Sequence, residues 1–79
     1  MRDEVDIYRE ISKILEQKRV NLGMSKRQLG KLAGITPVYL REVLRGERKP
    51  SVIILISLCS ALNFKPSDLF LHLESKNKI

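Results

Sequence analysis

Arg41 and Arg45 stand one helical turn apart in the stretch GITPVYLREVLRGERKP, residues 34–50, and Arg48 and Lys49 follow at once. In a helix, residues four apart share a face, so the first two guanidinium groups would point the same way. Charge at this density suits a nucleic acid first and an anionic membrane surface second, and its plainest use is solvation. Its distribution along the chain favours a polyanion. Between Lys18 and Lys49 lie nine basic residues against two acidic ones, Glu42 and Glu47, a local net of +7, while the whole 79-residue chain carries +6. One segment therefore holds the entire excess.

Other chemistries find little support. Cys59 is the only cysteine, which excludes a disulfide within the chain and a thiol metal site, and its neighbours Leu58, Ala61 and Leu62 suit a small core residue. His72 is alone as well, and no nucleophile sits beside a base. A domain of this size buries only about 60% of its unfolded surface, too little for a deep catalytic cleft. The expectation is a protein that is not an enzyme and holds no metal or cofactor. The N-terminal MRDEVDIYRE is charged and lacks an apolar stretch of signal-peptide length. The longest apolar run, VIILISLCSAL, is about half a membrane span. Both features predict a cytoplasmic protein.

These charges need elements to position them. Ile7, Ile11, Ile14 and Leu15 follow the spacing of one helical face and predict a helix over 5–22, ended by Gly23. Ser25 and Gln28 form a capping-box pattern for a helix over 26–33 that Gly34 stops. Thr36 followed by Pro37 starts a third helix, over 37–45, with Leu40, Val43 and Leu44 inward and Gly46 at its close. Ser51 caps a fourth, over 52–62, whose nearly continuous apolar positions predict burial on more than one side. Pro66, Ser67 and Asp68 open a short fifth helix through Leu73, and ESKNKI reads as a polar tail that frays. With 43% hydrophobic and 5% aromatic residues, the five helices must share one core of Leu, Ile and Val.

Only Gly34, Ile35 and Thr36 separate the second helix from the third, the spacing of a helix-turn-helix, in which the second helix of the pair enters the DNA major groove. Gly30 is small where the two helices approach. The stretch MSKRQLGKLAGITPVYLREVLRGERKPSVIILISLCSALNF resembles the Cro/C1-type (XRE) helix-turn-helix family of phage repressors and related bacterial regulators. The resemblance covers about 14–70 and includes RG.RKPS and the following L..L...LN. It implies an all-α, five-helix, lambda-repressor-like DNA-binding domain spanning 1–79 with its core over about 7–73. Two positions depart from the family. Gly30 stands where alanine is common, and Leu44 stands where a glutamate often pairs with an arginine matching Arg19. Arg19 is left with Glu42, Glu47 or a phosphate.

Carried over residue by residue, the resemblance implies base contacts from Thr36, Pro37, Val38, Arg41, Glu42 and Arg45. Arg41 and Arg45 suit bidentate contact to guanine, and Val38 suits a thymine methyl. Glu42 could accept from cytosine or pair along the helix with Arg45 or Arg41. Lys26, Arg27, Gln28, Tyr39, Arg48 and Lys49 fall at backbone-contacting positions, Tyr39 being equally suited to structural packing. Helix-turn-helix proteins commonly double their contacts by two-fold symmetry, so a homodimer on a palindromic double-stranded operator is implied, with Ile53, Ile54, Phe70 and Leu73 as its apolar interface. The same four residues could instead close the core of a monomer. The function implied is a sequence-specific transcriptional regulator, most simply a repressor of phage or mobile-element, restriction–modification controller or antitoxin-autoregulator type. The competing class is a protein-interaction module that keeps the fold and works through a protein partner.

Overall fold

Hydroxyl caps and glycines set most helix ends in the computed structural model, which describes residues 4–79. Residues 1–3 of the charged N-terminal stretch, on which the expectation about a signal peptide partly rests, lie outside the described residues. In order, the helices are α1 (Glu4–Asn21), α2 (Lys26–Ala33), α3 (Pro37–Leu44), α4 (Val52–Ala61) and α5 (Pro66–Ser75), with no strand among the described residues. Ser25 Oγ accepts from Gln28 N at 3.0 Å while Gln28 Oε1 accepts from Ser25 N at 2.8 Å, closing the capping box. Thr36 Oγ1 and Ser51 Oγ each accept, at 3.2 Å, from the amide three residues on. α3 stops one residue earlier than predicted. Arg45 is its C-cap, and the Gly46 amide turns back to Val43 O at 3.0 Å.

Leu15, Leu29, Leu40, Val43, Leu58, Cys59, Leu62, Leu69 and Leu73 are fully buried, so every helix contributes to one core. Such side chains are each worth about 1.5–3 kcal/mol when removed from water. α1 packs on α3 and α5, and α2 packs on α3 and α4. The basic α2–α3 pair is therefore held from behind by the two flanking helices.

Two expectations need correction. α4 is not buried on several sides within the chain: Leu58 and Cys59 face the core, yet Val52 and Ile53 are each 70% exposed and Ile56 is exposed as well. The tail does not simply fray either. α5 continues to Ser75, and the Lys78 amide returns to Leu73 O at 2.8 Å. Lys78 Nζ also reaches Asp6 at 3.1 Å, tying the tail to α1, because the charges of its polar side chains meet carboxylates that the fold brings alongside. No single helix among the described residues is long and apolar enough to cross a membrane. α4 and α5 pass together on composition, but they meet at 102° and their buried positions belong to the core.

Candidate nucleic-acid interface

The geometry of the α2–α3 pair starts from two glycines. Gly34, at φ 71°, takes the left-handed conformation that ends α2, and the Ile35 amide donates to Gly30 O at 3.0 Å. That bond draws the turn against α2. A Cβ on Gly30 would stand 3.3 Å from Ile35 O and 3.6 Å from Leu40 Cδ2, which explains why the smallest residue fits there. Leu29 then buries behind α2 while Leu40 and Val43 anchor α3 from its inner side.

With those anchors inward, Thr36, Pro37, Val38, Arg41 and Arg45 all lie exposed, along the leading edge and outer face of α3. No carboxylate of the described residues pairs with Arg41 or Arg45. Both guanidinium groups keep their full set of donors for an outside acceptor. Lys26, Arg27 and Gln28 are exposed at the start of α2, where unpaired amides favour an anion. Gln28 spends its oxygen on the cap and keeps its amide NH2 group. Between the helices runs a groove of about 480 Å³, with Lys26, Arg27, Lys31 and Arg41 around a floor of Ile35, Pro37 and Leu40. The cations around this groove suit the phosphates of a nucleic-acid backbone.

The partners of the remaining charges differ from those expected. Glu42 pairs with neither Arg41 nor Arg45: its Oε1 accepts from Arg48 Nη2 at 2.7 Å and Nε at 3.0 Å. That carboxylate holds the Arg48 guanidinium further above its ordinary pKa, chiefly through the hydrogen bond. Tyr39, half-buried, lies beneath the same guanidinium, with Arg48 Cζ 4.8 Å from the ring centroid. Lys49 Nζ is 2.6 Å from Glu4 Oε2 on α1. Sequence distance hid the second link, while the first joins α3 to the loop that follows it and depends on how that loop folds back.

Arg19 turns to neither Glu42 nor Glu47. It donates to both oxygens of Glu16, at 2.6 and 2.9 Å, and to Met24 O at 2.7 Å. Its hydrogen bond holds the Glu16 carboxyl below the ordinary range, against a smaller opposing effect of burial. The α1–α3 link that an Arg–Glu pair would make is supplied instead by Ser12. Its buried Oγ lies 2.6 Å from Val43 O and 2.9 Å from Tyr8 O, so its one hydrogen joins α1 to the last turn of α3. Sequence reasoning missed this residue. The available signal was a small hydroxyl set between Ile11 and Leu15 on an otherwise apolar face.

The four residues assigned to an apolar interface separate. Ile53 and Phe70 are exposed and Ile54 is half-buried, but Leu73 is only 1% exposed. Leu73 is a core residue of its own chain and cannot line a surface, because α5 turns it toward α1 in the same register that buries Leu69. Cys59 is likewise buried, and burial pushes its thiol pKa up, consistent with an inert packing role.

Residues 15–69 match the helix-turn-helix family. The chain is 29% identical over 63 residues to the HTH-type transcriptional regulator YgzD of Bacillus subtilis (strain 168), covering 80% of this chain and 94% of that protein. Among solved structures it is similar to the restriction-modification controller protein C.AhdI from Aeromonas hydrophila, at 30% identity and a TM-score of 0.76, over 80% of this chain and 96% of that one. The clp gene regulator ClgR from Corynebacterium glutamicum superposes with a TM-score of 0.81 at 26% identity, over 89% of this chain and 74% of that one. The capped turn between α2 and α3, the outward cations and the extent of these matches agree: this chain belongs to the helix-turn-helix family, of the Cro/C1 type.

Proposed function

We propose that this chain is a sequence-specific double-stranded DNA-binding transcriptional regulator, with residues 1–79 acting as one domain in the bacterial cytoplasm. The observation that carries the reading is the unpaired, outward Arg41 and Arg45 on the second helix of a capped helix-turn-helix. α3 enters the major groove, where Arg41 and Arg45 read guanine edges and Thr36, Pro37 and Val38 supply shape and apolar contact. Lys26, Arg27, Gln28, Tyr39, Arg48 and Lys49 hold the phosphates and set register. A regulator of this form acts most simply as a repressor that occludes a promoter, and its similarity to a restriction-modification controller protein favours the controller class among the readings weighed above.

Affinity from one short helix is limited, and we assign a two-fold partner through α4 and α5. Val52, Ile53, Ile56, Phe70 and Leu71 are exposed apolar side chains on those two helices, while Leu73 stays in the core. The test is selection of bound fragments from random duplex DNA, followed by titration of the selected site. The expected site is palindromic, bound with a steep salt dependence, and Arg41→Ala should weaken it about tenfold or more while relaxing preference at one base position in each half-site. A chain that binds no duplex even at low salt would refute the proposal and leave the protein-interaction reading in its place.

A further inference from the structure

Glu42, Tyr39 and Arg48 meet on one flank of α3, although the first was expected to read a base and the other two to grip phosphate. Arg48 returns from the loop so that Nε and Nη2 both donate to Glu42 Oε1 while the guanidinium lies over the Tyr39 ring. A guanidinium tied along one edge to a carboxylate and supported on one face by an aromatic ring keeps its other edge free to donate. Resting on the DNA reading above, we infer that Glu42 is a positioning residue that holds Arg48 beside Tyr39 as a preformed phosphate clamp, and that Glu42 reads no base. Both bonds from Arg48 fall on Glu42 Oε1, which anchors the carboxylate toward the loop after α3. Preorganising a long side chain removes part of the ordering cost from the binding step.

Charge counting and positioning predict opposite results here. Deleting a negative charge beside DNA strengthens binding on charge alone. Releasing Arg48 weakens it. The discriminating experiment titrates a selected site and a scrambled duplex with the full chain as wild type, Glu42→Gln, Glu42→Asp, Arg48→Ala and the Glu42→Gln/Arg48→Ala pair, each first shown to be folded by circular dichroism. Glu42→Asp keeps the charge but withdraws the carboxylate, so counting charges predicts no change. The expected outcome is a loss of about threefold for either Glu42 variant on both duplexes, about tenfold for Arg48→Ala, and no further loss in the pair. The site selected by Glu42→Gln should match that of the wild type. Tighter binding by Glu42→Gln, unchanged binding by Glu42→Asp, multiplying losses in the pair, or an altered base preference would each overturn the inference. Failure of the wild-type chain to bind any duplex overturns the DNA reading and this inference together, and is told apart because it needs no variant.

Discussion

α3 and α4 begin alike and finish with opposite surfaces. Each is N-capped by a hydroxyl, Thr36 or Ser51, and each buries two residues, Leu40 and Val43 or Leu58 and Cys59. α3 then presents arginines to water, whereas α4 presents Val52, Ile53 and Ile56. Exposed guanidinium groups are well solvated, so the α3 surface is stable as it stands and gains only when an anion arrives. Exposed isoleucines are not. The same hydrophobic term that builds the core acts on α4 until something covers it, and several large apolar residues on neighbouring elements commonly mark a protein contact. The two helices thus divide the molecule into a cationic surface suited to an anion and an apolar surface suited to another protein chain.

That division can be broken at its foundation by removing an anchor common to both sides. Leu40→Ala and Leu58→Ala should each cost about 2–5 kcal/mol of folding free energy, read from urea denaturation, because each empties a fully buried position. Equal costs would show that the helices differ only outside the core. A substitution on the outer face of α4 should separate assembly from folding. Ile53→Lys is expected to weaken self-association by about 2 kcal/mol, measured by sedimentation, with the monomer's melting temperature nearly unchanged. A chain that sediments as a monomer before the substitution would mean that the exposed face serves a different partner.

Smaller changes sharpen the picture on the α3 side. Ser12→Ala should cost about 1 kcal/mol and weaken DNA binding modestly, since it frees the last turn of α3 from α1, while Val43 O keeps its bond from Gly46. The smallest effect is expected from acid. Because Arg19 holds the Glu16 pKa below its unfolded value, their pair contributes stability that is complete above the ordinary carboxylate range and is lost as pH falls through the lowered folded value. Partial exposure limits that contribution to about 0.5 kcal/mol, and Glu16→Gln should flatten this part of the pH–stability curve.

Much of the frame was legible because local chemistry decides it. The α2 bounds follow from a capping box at one end and a left-handed glycine at the other, both encoded within a few residues. The turn, the Thr36–Pro37 start and the outward register of Arg41 and Arg45 follow for the same reason. The charge partners were not legible. Lys49 with Glu4 and Lys78 with Asp6 join segments whose separation in space depends on how helices cross, and Arg48 meets Glu42 only because the loop after α3 folds back along that helix. The exposure of α4 was misread because periodicity counts apolar positions without knowing how much surface the other four helices can cover.

The sequence by itself determined five helices, a helix-turn-helix with two arginines on its outer face, and a basic segment suited to a polyanion. Those properties rest on caps, glycines and a 3.6-residue repeat, which act over a few residues at a time. The tertiary structure decided that Leu73 belongs to the core while Ile53 does not, that Ser12 couples α1 to α3, and that Lys49 meets Glu4. Each of these depends on which faces meet once the core is closed, and packing of distant segments sets that arrangement.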